Sequence, residues 1–184
     1  LATVLSYSDP LHKVTILPRG MALGVTWTLP EERHTYSREY FLDVICKAMG
    51  GRVAEKIVFG QLNSGAANDL EQATSIARRM VREWGMSDKV GPMAWAGHQQ
   101  VFLGEDLMAN GREYSDATAQ MVDAEIARIL SEQEARAEEL LRKHRSGLDL
   151  VAKALLEQET IDGPEVGRLV QQGLETPTPT DASI

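Results

Sequence analysis

Apolar residues return at helical spacing through most of this chain, and that periodicity limits the possible fold more than any other feature. Phe41, Leu42, Ile45, Cys46 and Met49 line one face of a segment that Ser37 can cap, and Leu70, Ala73, Ile76, Ala77, Met80, Val81 and Trp84 line a second. The longest stripe runs Val122, Ile126, Ile129, Leu130, Ala137, Leu140 and Leu141 behind a cap at Ser115. A break near Ser146-Gly147 precedes a helix carrying Leu148, Val151, Leu155 and Leu156, and Asp162-Gly163-Pro164 opens a last short helix to Leu174. Stripes of this kind must be buried against one another, so the expected fold is mainly α.

The strong β signal is confined to residues 14–17 and 23–27, two apolar runs flanking Pro18-Arg19-Gly20, which predict a small sheet near the N-terminus. Gly24 inside the second run marks either a close backbone approach or a bulge. Residues 1–5 read as the tail of a helix cut open, ended by Ser8-Asp9-Pro10. Gly50-Gly51 falls inside or just after the first helix, where close packing would offset the lost helix propensity. Residues 86–114, with Gly91-Pro92, Gly97, Gly104 and Gly111, read as a long irregular excursion. At 184 residues the chain is expected to form one domain over 1–174, with 175–184 a disordered tail.

Charge and cysteine usage narrow the function classes. Nineteen Lys and Arg against 27 Asp and Glu give a net charge of -8, which repels a phosphate backbone, so no nucleic-acid partner is expected. The single cysteine cannot form an intramolecular disulfide, and nothing in the sequence requires an oxidising compartment. No apolar run approaches the roughly 20 residues of a membrane helix.

Of the four histidines, His12, His34, His98 and His144, no two are spaced i, i+4, so the chain has no two-histidine metal face. His34, His98 and His144 read as solvated side chains, His12 as a packed one, and Cys46 as a buried hydrophobe. The nucleophile elbow, the phosphate-binding lysine loop and the dinucleotide fingerprint are missing from the sequence. One polar constellation remains, Ser64-Gly65-Ala66-Ala67-Asn68-Asp69 at a helix start, where Asn68 or Asp69 is either a cap and first-turn charge or a functional group.

Ordered motifs point further. Residues 9–20 (DPLHKVTILPRG), Ala22-Leu23-Gly24-Val25-Thr26, Leu29-Pro30-Glu31, Gly50-Gly51-Arg52-Val53-Ala54-Glu55, Val58-Phe59-Gly60, Ser64-Gly65-Ala66-Ala67-Asn68-Asp69, Ala73-Thr74, Gly85-Met86-Ser87, Val101-Phe102-Leu103-Gly104 and Glu159-Thr160-Ile161-Asp162 resemble the peptidase domain of the FtsH family. These are membrane-anchored AAA+ zinc metalloproteases. The resemblance implies a helical metallopeptidase domain with a small β-sheet near its N-terminus.

It also implies a His-Glu-x-x-His helix shortly before the Asp-Pro-x-His-Lys-Val segment, supplying two zinc ligands and the general base. This chain does not contain that motif, so no catalytic residue is assigned within it; the motif is expected to lie just upstream of Leu1. The family's third ligand, the aspartate of its Asn-Asp motif, falls on Asp69. A strand edge that takes extended, unfolded substrate falls on Leu23, Gly24, Val25 and Thr26, which a plain core strand would also explain. Further implications are a homohexameric ring, ATP and Mg in an AAA+ domain outside this chain, and a membrane anchor likewise outside it. The place implied is the cytoplasmic face of a bacterial inner membrane or an organelle membrane, where membrane and misfolded soluble proteins are degraded. The residues 1–184 alone are expected to hold no zinc and to be inactive; the competing reading is a non-catalytic pseudo-peptidase acting as a ring scaffold.

Overall fold

Helix α1, Arg38–Phe59, begins where the Ser37 side chain accepts the Tyr40 amide at 3.2 Å, and it runs unbroken through both glycines. The structure, a computed structural model, describes residues 1–18, 24–30, 34–94 and 115–175. Gly50 is explained by contact: a Cβ there would stand 2.7 Å from Leu1 Cδ1. Residues 1–5 form a helical turn, the Val4 and Leu5 amides donating to the Leu1 carbonyl, and that turn lies against α1. Gly51 meets nothing and is exposed, so it has no packing role.

Helix α2, Ala67–Arg82, and helix α3, Asp116–Lys143, complete a three-helix layer with α1. Ser115 caps α3 as its position in the sequence predicts, accepting the Thr118 amide. Ile45, Met49 and Val53 of α1 interlock with Ala73, Ala77 and Met80 of α2 and with Val122 and Ile129 of α3. Cys46 is fully buried in this core, and burial pushes its thiol up to about 11, so it is an inert hydrophobe. Gly85, with φ +59, ends the helical run after α2, and Met86 donates back to the Met80 carbonyl.

A smaller second layer holds the sheet. Strands β1, Leu11–Thr15, β2, Val25–Thr28, and β3, Thr160–Asp162, form an antiparallel sheet in the order β2-β1-β3. Helices α4, Arg145–Gln158, and α5, Gly163–Glu175, cover it, with Leu11, Val14, Ile161, Leu155, Val166 and Leu169 in the shared core. The expected class, mainly α with a small N-terminal sheet, is the class observed. No helix among the described residues is long and apolar enough to cross a membrane.

Several boundaries move. The first strand lies earlier than the apolar run 14–17 suggests; Ile16 and Leu17 leave the sheet and are exposed. Strand β3 is unexpected, because three residues with one apolar side chain carry no periodicity; its pairing is fixed by Thr160 donating to Thr15 across 145 positions. The break expected near Ser146-Gly147 falls two residues earlier, at His144. Gly147 is buried inside α4, where a Cβ would lie 2.9 Å from Val170 Cα of α5. It is a packing glycine rather than a helix breaker.

Two carboxylates lie deep in the three-helix layer. Asp43 of α1 accepts the Tyr7 amide at 2.8 Å and pairs with Arg136 of α3 at 2.7 Å, which ties the N-terminal segment to both helices. Glu125 of α3 is 2% exposed, accepts the Ser87 hydroxyl at 2.8 Å, and takes two hydrogen bonds from Arg128. Those Arg128 bonds, with help from Ser87, hold its carboxyl below the usual range despite burial. A folded-state value below the unfolded one means the stabilisation is complete above about pH 4.3 and drains as pH falls through the folded value. Glu125→Gln is expected to cost about 2 kcal/mol at neutral pH and to flatten the acid limb of stability. Urea midpoints of both proteins measured from pH 7 to pH 3 check this: the gap between them should close toward pH 3.

Candidate functional site

The approach to Asp69 is built by a reversal between two packed helices. Helix α1 stops at Gly60, whose φ of +67 is left-handed and whose amide donates to the Lys56 carbonyl at 3.0 Å. Asn63 donates its side-chain amide to Glu55 of α1, and a 3-10 turn, Ser64–Ala66, buries Ala66 and delivers the chain to α2. The N-cap position is Ala66, which offers no side-chain oxygen. Neither Asn68 nor Asp69 is therefore the capping residue; both lie inside the first turn, where a carboxylate is favoured by the helix dipole.

The Asp69 side chain is exposed and makes no hydrogen bond or ion pair with the described residues. Toward the described residues its two oxygens keep their capacity to accept donors or to bind a cation. Around the same reversal Val58, Phe59 and Leu62 are also exposed, Phe59 by 70%.

The described residues contain no group of three or more His, Cys, Asp or Glu side chains able to hold a metal ion. A catalytic zinc needs three protein ligands plus water. Asp69 fits as one oxygen donor, but the residues described do not make a zinc site by themselves. His34 is exposed, as expected, and His98 lies outside the described residues. His12 is exposed rather than packed, because a bulge between Leu11 and Lys13 turns it out of the sheet; it borders a shallow groove of about 450 Å³ with Lys13, Asp162 and Glu165. His144 is half-buried rather than a fully solvated side chain. It sits at the α3–α4 joint with Nδ1 buried and unpartnered among the described residues, and burial, aided by Lys143, pushes its imidazole down.

Of the proposed substrate strand, Leu23 lies outside the described residues, Gly24 immediately precedes β2, and Val25 and Thr26 are its first residues. A Cβ on Gly24 would stand 2.8 Å from the Thr15 carbonyl oxygen, so this glycine serves a close backbone approach. Among the described residues β2 pairs only with β1, and its other edge is open. It is an edge strand rather than a buried core strand, with Thr26 and Trp27 exposed. The two candidate sites belong to different layers: α2 packs on α1 and α3, and the sheet packs on α4 and α5.

The sequence reading missed the buried carboxylates, although a signal was present. Glu125 falls on the stripe of Val122, Ile126 and Ile129, and Asp43 lies between the apolar residues 41, 42, 45 and 46. A charge at a stripe position is the mark of a buried pair.

Residues 1–169 match Peptidase family M41, and the chain belongs to that family. It is 63% identical over 182 residues to the ATP-dependent zinc metalloprotease FtsH of Acidimicrobium ferrooxidans, covering 98% of this chain and 27% of the relative. The protein of the same name from Nitrosococcus oceani is 52% identical over 178 residues, covering 96% and 28% respectively. That from Thermotoga maritima is 44% identical over 178 residues, covering 95% and 29%. The chain spans about a quarter of the length of the curated relatives it matches.

Proposed function

We propose that residues 1–174 are the peptidase domain, and 175–184 a tail, of an ATP-dependent zinc endopeptidase that degrades membrane and misfolded soluble proteins. The observation that carries the reading is the exposed Asp69 carboxylate, without a hydrogen bond or ion pair among the described residues, in the first turn of α2 of a chain in a family whose relatives are named zinc metalloproteases. Asp69 furnishes one oxygen donor to zinc, and the remaining ligands and the general base come from a His-Glu-x-x-His motif in the longer protein. Zinc, when bound, supplies Lewis-acid polarisation and an activated water. The open edge of β2 takes polypeptide as an added strand, whose main-chain hydrogen bonds are the same for every residue but proline. ATP and Mg act in an AAA+ domain outside this chain, in a homohexamer anchored at the cytoplasmic face of a bacterial inner membrane or in an organelle membrane.

Metal analysis and casein hydrolysis, run on the full-length protein and on residues 1–184 side by side, test the proposal. Full-length protein should carry about one zinc per chain and hydrolyse casein with ATP, whereas residues 1–184 should do neither. Tight zinc on the short chain, lost in Asp69→Ala, would mean that its own histidines complete the site. A full-length protein that forms rings but holds no zinc and cleaves nothing would establish the scaffold reading instead.

A further inference from the structure

Main-chain pairing along β2 cannot choose among side chains, so any selectivity has to come from the residues that flank its open edge. Such selectivity rests on the reading of β2 as the strand that receives substrate. Paired residues of an antiparallel ladder share a face, and the register pairs Trp27 with Lys13, Val25 with Thr15, and Lys13 in turn with Asp162. Val25 and Trp27 therefore stand on the face opposite Val14 and Ile161, which turn into the second core. Trp27 is 38% exposed, and Lys13 Nζ lies 5.1 Å from its ring centroid. The edge of the sheet thus carries an indole with an ammonium held over it.

A strand added to the open edge presents every second side chain on this same face, with direct partners about 5 Å apart at Cβ. The residue opposite Trp27 meets the indole and the ammonium together. An aromatic or large aliphatic side chain there gains apolar contact, and a second cation is repelled by Lys13. We propose that Trp27 and Lys13 determine specificity: segments with an aromatic or large aliphatic residue opposite Trp27 are preferred, and segments with Lys or Arg there are rejected. The position two residues away, opposite Val25, adds a weaker apolar preference. The intervening position faces Thr26 and is tolerant.

Eight-residue peptides in which Phe, Leu or Lys is moved through each position, offered to the full-length protein, test this. Binding is read by fluorescence anisotropy and cleavage by kcat/KM. The wild type should distinguish Phe from Lys at one position by about tenfold in affinity. Trp27→Ala should reduce that ratio to about twofold, Trp27→Phe should restore it, and Lys13→Met should improve binding of the Lys peptide alone. The effect should fall on KM rather than kcat. An unchanged ratio in Trp27→Ala, or an equal loss for every peptide that Trp27→Phe does not restore, would overturn the proposal. So would a wild type that shows no preference at any position. If peptides bind with the expected preference and none is cleaved, the peptidase reading fails and the specificity of the edge stands.

Discussion

In the full-length protein, Asp69→Asn is expected to lower casein hydrolysis by at least about a hundredfold, together with loss of bound zinc. Residues that merely orient a metal ligand typically cost 10- to 100-fold when removed, and loss of an anionic ligand itself should cost more. The replacement keeps the size and shape of the side chain and removes only its charge. Since Asp69 makes no hydrogen bond or ion pair with the described residues, folding loses little. The interaction with the α2 dipole is worth about 0.3–1 kcal/mol, a fall of no more than about 4 °C in Tm. Zinc content, caseinolysis and thermal unfolding of the same preparation separate the two roles. Near-normal hydrolysis with a lowered Tm would leave Asp69 with a helix-start role alone.

A large effect on stability is expected at Gly173, where α5 crosses α4. A Cβ there would penetrate the Gly147 amide nitrogen and stand 2.6 Å from Gly147 Cα, and a Cβ on Gly147 would in turn press on Val170 Cα. Both partners are backbone, so no side chain can rotate away and the helices must separate. Overpacking usually costs 1–3 kcal/mol, and a backbone clash belongs at or beyond the upper end. Gly173→Ala is thus expected to destabilise the domain by about 3 kcal/mol, lowering Tm by roughly 10 °C in a chain of this size. Gly167 on the same helix meets nothing within 4 Å, and Gly167→Ala should raise stability by about 0.5–1 kcal/mol through helix propensity. Opposite signs on one helix, read by thermal unfolding, distinguish packing from propensity. Equal effects at the two positions would show that the α4–α5 contact is looser than these distances require.

The same pair of glycines marks where sequence reasoning loses its hold. Gly147 in a run of polar residues looks like a stop signal, and locally that reading is sound, because glycine weakens any helix. The joint instead falls at His144, and α4 passes straight through Gly147 because Val170 and Gly173 of α5 need its bare backbone. Asn68 and Asp69 look like caps for an equally local reason. The 3-10 turn at Ser64–Ala66 starts the helix earlier, and that shift is what frees Asp69 from a capping role.

The helices, the caps at Ser37 and Ser115 and the burial of Cys46 were legible in the residues alone, and Gly24 was narrowed there to a close approach or a bulge. Each follows from a period of 3.6 residues, a cap beside the turn it closes, or one missing Cβ, all written within a few positions of chain. The ordered motifs also determined the family, which the match over residues 1–169 shows. It took the tertiary structure to show that β2 lies at the edge of the sheet formed by the described residues and that residues 160–162 form a third strand. That structure also decided that Glu125 meets Ser87 and Asp43 meets Arg136, and that Gly147 and Gly173 touch. These depend on groups dozens to more than a hundred positions apart being brought together. Such pairings are selected by the fit of whole surfaces and by the cost of leaving a buried polar group unpaired, and neither has a local pattern in the sequence.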